Sequence, residues 1–179
     1  MTDLETWNLA VAAVAEGFAR LSSPRRAVIT EAAEAAKACK EALHAIVAAV
    51  AAAGVCASCG GQCCLTGKYH FTVVDLLAYL ADDRELFTPR FDHDACPYLG
   101  GDGCLMAPPY RPFNCVTFNC ERLECLLESP EKERLARLEQ ELRTIYGRFE
   151  ELIGVRIMGG LLMNAERDIV QNRSPILGE

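Results

Sequence analysis

The sequence predicts a mainly α protein, in which helices from the two ends of the chain form a bundle that frames an irregular, cysteine-rich, metal-binding middle. Apolar residues recur at spacings of three and four near both ends, which places their side chains on one face of a helix. The middle is rich in Gly, Pro and Cys and has few long periodic segments. The length of 179 residues fits a single domain, which we divide into a helical front (1–54), a cysteine-cluster region (55–128) and a helical back (129–179).

Two helices are predicted in the front. The apolar stripe of the first comprises Leu4, Trp7, Val11, Val14, Phe18 and Leu21. Ser23 can cap a helix and Pro24 suits its first position, so the second helix is expected from Pro24 to Ala53, with Gly54 just past its end. Its apolar stripe comprises Val28, Ala32, Ala36, Cys39, Leu43, Ile46 and Val50.

One short helix is predicted inside the middle. Thr72 and Asp75 form an acidic variant of the capping box, and the apolar residues Leu76, Leu77 and Leu80 would face inward. The stretch that follows, up to the start of the back, shows no clear periodicity. Such a long loop is uncommon in a compact domain unless something else orders it. Metal coordination could supply that order, because the free energy of metal binding becomes free energy of folding.

Two more helices are predicted in the back. The first begins with Ser129 as its cap and Pro130 in its first turn, ends at Gly154, and carries a heptad seam made of Leu135, Leu138, Leu142, Ile145, Phe149 and Leu152. The last helix is expected from Met158 to Val170, with Leu161, Leu162, Ala165 and Ile169 inward. The seam can pack on the front helices as an antiparallel bundle, or residues 135–152 can bind a protein partner or a second copy of the chain.

Composition excludes some partners. The net charge of −7 and the pI near 5.1 disfavour a nucleic-acid binder, which would be expected to be basic. The longest apolar run, which starts at Ile46, is shorter than the ~20 residues that span a membrane. The first residues carry acids where a signal peptide needs basic residues, so the cytoplasm is the expected compartment.

The ten cysteines carry the strongest functional signal. Residues 54–67 read GVCASCGGQCCLTG, and CPYLGGDGC and RPFNCVTFNC follow. A disulfide framework is typical of small secreted chains, which nothing here indicates, whereas two cysteines separated by two residues can turn both thiolates toward one metal. The predicted metal ligands, enough for two four-thiolate sites or for one cluster with spare thiols, are Cys56, Cys59, Cys63, Cys64, Cys96, Cys104, Cys115 and Cys120.

Several other residues have two interpretations each. Arg111 is predicted to bind the cofactor by compensating the negative charge of a thiolate centre, or it is a surface arginine in a turn. Cys125 is a further thiolate or a buried thiol, with the second interpretation favoured. His93 or Asp94 is a ligand or part of a solvated turn, again with the second favoured. Cys39, on an apolar helix stripe, is expected to be a core residue.

The three cysteine-bearing segments together resemble the YkgJ-type cysteine-cluster family, described as zinc- or iron-chelating proteins. The resemblance covers residues 56–120 and rests on a Cys-x-x-Cys segment that runs into a double cysteine, then Cys-Pro-x-Leu, a later cysteine and Arg-Pro-x-x-Cys. Three residues separate Cys59 from the double cysteine, where two are commoner, so either Cys63 or Cys64 occupies the usual ligand position. The family is similar to the cysteine-bearing part of flagellin lysine methylases, which implies an iron–sulfur cluster as one candidate but no methyltransferase here.

The function expected from these observations is metal binding, by an iron–sulfur cluster or by zinc, with no reaction or substrate indicated. Structural zinc sites often use two Cys-x-x-Cys knuckles and this chain has one, so dispersed cysteines fit an iron–sulfur cluster slightly better. Two alternatives stay open. The chain could be an iron–sulfur redox or radical enzyme component or electron-transfer protein, or it could be a thiol-based metal carrier or redox sensor.

Overall fold

The computed structural model describes residues 1–50, 54–55, 58, 62–92, 94–100, 103–153 and 159–168, and for Cys63 and Asp168 it describes the backbone only. This part of the chain is mainly α-helical, as predicted. In chain order its elements are α1 (Asp3–Arg20), α2 (Ser23–Ala49), a first 3₁₀ helix (Gln62–Tyr69), α3 (Val73–Ala81), β1 (Leu99–Gly100), β2 (Gly103–Cys104), a second 3₁₀ helix (Pro108–Tyr110), α4 (Phe113–Thr117), α5 (Glu121–Glu124), α6 (Ser129–Ile153) and α7 (Leu161–Asp168).

The two front helices form where the sequence predicts them, with small corrections. Helix α2 ends at Ala49 rather than Ala53. Trp7 and Val14 are buried as predicted, whereas Leu4 and Val28 are each 40% exposed. The buried face of α2 begins with Ile29 and continues through Ala32 and Ala36, so that Val28 lies outside it. The remaining apolar residues of both stripes are buried or pack against the core: Val11, Phe18, Leu21, Ala32, Ala36, Cys39, Leu43, Ile46 and Val50.

Helices α2 and α6 pack along each other and run antiparallel. Arg25, near the start of α2, donates from Nη2 to the Leu152 carbonyl at 2.9 Å, and Cys39, later in α2, contacts the Leu138 carbonyl through its sulfur at 3.2 Å. The heptad seam is buried in this contact, with Phe149 fully enclosed. The predicted antiparallel packing of the seam on the front helices is therefore confirmed, and a protein partner or second copy bound through 135–152 stays a prediction.

A buried polar network joins three helices at the centre of the bundle. Lys40 of α2 and Asp75 of α3 are 1% and 0% exposed, and Lys40 Nζ lies 2.7 Å from Asp75 Oδ1. Tyr146 of α6 donates its hydroxyl to the same oxygen at 2.8 Å. Thr72 donates its hydroxyl and its N–H to Asp75 Oδ2 at 2.7 and 2.9 Å, which completes the predicted capping box. The carboxylate thus accepts four hydrogen bonds, as a buried charge requires.

The middle segment contributes more to the hydrophobic core than its sequence suggests. Strands β1 and β2 pair as a short antiparallel hairpin. The ring of Trp7 in α1 has four aromatic neighbours at centroid distances of 5.0 to 6.4 Å, namely Phe71, Phe87, Phe91 and Tyr98. Met106, Phe113 and Val116 are also buried. Aromatic contacts therefore supply apolar packing that the sequence did not suggest for the described part of the middle, and the ordering role of a metal stays a prediction.

The last helix closes the bundle against α1 and the first 3₁₀ helix. Leu161 donates its N–H to the Phe71 carbonyl at 2.6 Å, and Leu161, Leu162 and Ala165 are buried as predicted. Ile169, Gly154 and the expected helix start at Met158 lie outside the described residues. None of the helices in the described ranges combines the length and the apolar character needed to cross a membrane.

Replacing Lys40 with methionine should destabilise the protein strongly, because the Asp75 charge would stay buried without its ionic partner. We expect the free energy of unfolding to fall by about 3–5 kcal/mol, measured by urea denaturation. Arg20→Met is the control, since Arg20 lies 3.9 Å from Glu16 on the surface and such pairs contribute less than about 1 kcal/mol. Equal losses in the two variants would show that the buried pair does not hold the bundle together.

Candidate metal centre

The first 3₁₀ helix positions one side of the candidate site. It carries Cys64, which packs half-buried against the core, and Gly67, and it leads into His70, whose N–H donates to the Gly67 carbonyl at 3.0 Å. The hydroxyl of Tyr98 donates to the Lys68 carbonyl at 2.9 Å. This hydrogen bond joins the first 3₁₀ helix to Tyr98, which directly precedes β1 of the hairpin.

The sulfur of Cys96 lies directly against the backbone of Gly67. Cys96 is buried in the turn before β1, where its carbonyl accepts the Leu99 N–H at 3.0 Å. A Cβ atom added to Gly67 would lie 2.5 Å from Cys96 Sγ and 3.3 Å from Cys96 Cβ. The missing side chain of Gly67 is therefore what leaves room for this thiol.

The Cys115 thiol lies beside an imidazole. Its Sγ is 3.5 Å from His70 Nδ1, and helix α4 presents it at an exposed position. The protein atoms packed about the sulfur nevertheless remove enough water to raise the pKa of the Cys115 thiol well above its usual range. Burial also lowers the pKa of His70, which favours the neutral imidazole.

Further negative charges act on Cys115 in the same direction as burial. After desolvation, the groups whose charges raise its pKa are, in order of effect, Cys104, Asp75, Cys96 and Cys64. Three of these are thiols from separate segments: the first 3₁₀ helix, the turn before β1, and β2. The fold therefore brings three other predicted ligands within electrostatic reach of Cys115.

Cys96 and Cys104 also interact with each other. Burial raises the pKa of Cys96, and the charge of Cys104 raises it further. Cys104 is exposed at the end of the hairpin, and the N–H of the next residue, Leu105, donates to the Tyr98 carbonyl at 2.8 Å. The hairpin thus holds one accessible and one buried thiol near Cys115.

Of the remaining predicted ligands, the structure describes some fully and others in part or not at all. Cys120 is half-buried and precedes α5, where its carbonyl accepts the N–H groups of Leu123 and Glu124. Cys56 and Cys59 lie outside the described residues, as does the side chain of Cys63. Within the described ranges, no three His, Cys, Asp or Glu side chains are arranged so that they could hold a metal ion. The full set of ligands therefore stays a prediction.

Arg111 lies on the side of the site that faces α2. Its Nε donates to the Met106 carbonyl at 3.2 Å. Burial lowers the pKa of His44 in α2, and the nearby Arg111 charge lowers it further. These contacts place the guanidinium between the hairpin segment and α2, and its predicted role beside a cofactor stays a prediction.

The other sequence candidates are now placed. Cys39 is buried, as expected for a core residue, and burial raises its pKa to about 11. Cys125 is exposed at the end of α5, so its interpretation as a buried thiol is wrong. Asp94 is exposed, in agreement with a solvated turn, and His93 lies outside the described residues.

Two features of this region were missed in the sequence. The first is the His70–Cys115 pair, and the second is the Lys40–Asp75 ion pair, whose carboxylate charge reaches Cys115. For the His70–Cys115 pair, the one local indication in the sequence is that His70 follows Gly67 by three residues in the cysteine-rich segment. No pattern in the sequence indicates the role of Lys40, because it interrupts an apolar helix face and its partner Asp75 is distant along the chain.

Comparisons with models of known protein families, with curated proteins and with solved structures find no match for this chain. The resemblance to the YkgJ-type family therefore stays a prediction that rests on the cysteine pattern.

The rate of alkylation should distinguish Cys115 from other accessible thiols. Iodoacetamide reacts with the thiolate, and the raised pKa keeps Cys115 protonated at pH 8, although the residue is exposed. In reduced, metal-free protein we expect its alkylation to be at least tenfold slower than that of Cys125, and to accelerate as the pH is raised toward 10. Peptide mass spectrometry would measure both rates, and equal rates at pH 8 would contradict the proposed surroundings of the sulfur.

Gly67→Ala and Gly147→Ala should have opposite effects on stability. The new Cβ at position 67 would meet Cys96 and cost about 1–3 kcal/mol, as overpacking does. Gly147 lies within α6 with nothing within 4 Å of a new Cβ, so alanine there should stabilise by about 0.5–1 kcal/mol.

Thermal unfolding of both variants provides the measurement. In a Cys96→Ala background, Gly67→Ala should cost little, because the sulfur that the new methyl group meets is gone. A full cost in that background would show that something other than the thiol needs glycine at position 67.

Proposed function

We propose that the protein binds zinc or an iron–sulfur cluster through cysteine thiolates of its middle segment. The observations that support this most are the 3.5 Å contact of the Cys115 sulfur with His70 Nδ1 and the charges of Cys104, Cys96 and Cys64, which all act on Cys115. Ionised thiols so close together repel one another unless a cation compensates them. The Cys-x-x-Cys pair Cys56 and Cys59, with Cys63 and Cys120, completes the proposed ligand set on sequence grounds, and Arg111 is proposed as a nearby cation.

The donor set fits such a group chemically. Thiolates are soft donors that suit zinc and iron–sulfur clusters. Cys104 and Cys115 are exposed, so a metal could reach them, and Gly67 leaves room for the sulfur of Cys96 itself. When bound, the metal would supply positive charge and join separate segments. The chain's own part is to hold the thiols at one place and to release their protons when the cation arrives.

A nucleophilic Cys–His pair is the main competing interpretation of Cys115 and His70. A catalytic cysteine needs a lowered pKa, so that the thiolate is present at neutral pH. Burial and the neighbouring charges raise the pKa of Cys115 instead. This direction favours a ligand whose proton is displaced by a metal over an activated nucleophile.

A metal carrier is the second candidate function. Exchange of a metal between proteins requires that an incoming thiol can approach the ligands, and the exposure of Cys104 and Cys115 favours such an approach. A cluster that performs redox work stays an alternative as well, which an optical spectrum can separate from zinc. The cytoplasm is the proposed compartment, because its reducing conditions keep thiols available as ligands.

Metal content should depend on Cys115 and not on Cys39. We expect protein purified without oxygen to contain zinc or iron, and Cys115→Ser to lose most of it, because that change removes the proposed ligand on which the charges of three other thiols act. A colourless protein would indicate zinc, whereas a brown colour that bleaches on reduction would indicate a cluster. Elemental analysis and an optical spectrum provide both readings.

Cys39→Ser is the matched control for that experiment. Its hydroxyl can replace the thiol that contacts the Leu138 carbonyl, so the fold and the full metal content should be kept. Circular dichroism would check that Cys115→Ser retains its helices. The proposal fails if wild-type protein contains no metal, or if the two variants contain as much metal as the wild type.

A further inference from the structure

We infer that His70 is a metal ligand beside Cys115, so that the centre combines an imidazole nitrogen with thiolate sulfur. The inference rests on the proposed function, because it names a further donor at the same site. It starts from the 3.5 Å distance between Cys115 Sγ and His70 Nδ1, which joins side chains separated by 45 positions in the sequence.

The geometry of the first 3₁₀ helix explains why His70 reaches the thiols. A 3₁₀ helix has 3.0 residues per turn, so residues three positions apart lie in one row. Cys64, Gly67 and His70 follow this spacing, and the bond from the His70 N–H to the Gly67 carbonyl continues the pattern through position 70. The row therefore presents a thiol, a gap and an imidazole to the same side.

Two members of this row contact other predicted ligands. Gly67 leaves room for the sulfur of Cys96, and the His70 imidazole lies 3.5 Å from the Cys115 sulfur. The segment that carries Cys64 therefore meets two separate cysteine-bearing segments along one row.

The distance between the two donor atoms matches that of two ligands on one metal. Zinc binds sulfur at about 2.3 Å and imidazole nitrogen at about 2.0–2.1 Å, and at the tetrahedral angle these bonds place the two atoms about 3.5–3.6 Å apart. The observed separation of Sγ and Nδ1 is 3.5 Å. A metal could therefore bind both atoms without moving either side chain far.

Charge also favours an imidazole at this position. Every thiolate added to a site that already holds several negative charges increases the repulsion between them. A neutral imidazole donates an electron pair and adds no negative charge. Zinc sites commonly take three cysteines and one histidine, whereas iron–sulfur clusters are mostly held by cysteine alone, so His70 shifts the preference toward zinc.

X-ray absorption on the full chain loaded with Zn²⁺ without oxygen tests the inference directly. We expect sulfur ligands together with the outer-shell scattering that identifies an imidazole. The chain has three histidines, so variants must show which of them is responsible. His70→Cys should replace the imidazole contribution with sulfur, whereas His44→Cys, in α2, should leave the spectrum unchanged.

Affinity provides the second readout. In competition with a chelator, His70→Ala should weaken zinc binding at least tenfold, and His44→Ala should bind as the wild type does. Circular dichroism of both variants would show that helicity is kept. This readout separates a ligand from a histidine that only donates or accepts a hydrogen bond at the Cys115 sulfur.

The possible failures are distinguishable. If the wild type binds no Zn²⁺ and no iron, the proposed function and the role of His70 both fail. If zinc is bound with sulfur ligands alone, or if the imidazole contribution persists in His70→Cys, the metal site stands and the assignment of His70 is overturned.

Discussion

The ion pair between Lys40 and Asp75 is the interaction on which the arrangement of the helices depends. It is fully buried, and the carboxylate also accepts hydrogen bonds from Tyr146 and Thr72. A buried charge with all its hydrogen bonds made is tolerated, whereas the same charge without a partner is strongly destabilising. The pair therefore restricts how α2, α3 and α6 can pack, since a shift of any of them would separate the partners.

The same network acts on the candidate metal site through its charge. Burial raises the pKa of Cys115, of Tyr146 and of Tyr98, and the Asp75 charge raises each of them further. A thiolate centre within reach of this carboxylate would bring several negative charges together, which is costly unless a cation is present. Lys40 forms its ion pair with the carboxylate, so a bound metal would have to compensate the thiolates.

How much of the structure could be predicted depended on how far apart the interacting residues lie along the chain. The capping box of Thr72 and Asp75 spans three residues and was predicted correctly, as were the two front helices apart from the end of α2, and the seam helix α6. The short helices α4 and α5 and the two 3₁₀ helices were not predicted. The partners Lys40 and Asp75 are 35 positions apart, and His70 and Cys115 are 45 apart, so no local pattern reveals either pair. The cysteine spacing indicated which segments should meet, but not which thiol would lie beside the imidazole.

The aromatic core changes the role that a metal would have in this protein. In a zinc finger the metal supplies the free energy that folds the chain. Here Trp7, Phe87 and Tyr98 pack together in the described part of the chain, and this apolar contact holds the hairpin against α1. Cys96 and Cys115 are then placed by packing, and burial raises the pKa of both thiols, so that they retain their protons. Binding free energy would be used to displace those protons rather than to build the surrounding fold, which favours a site that can exist with or without its metal.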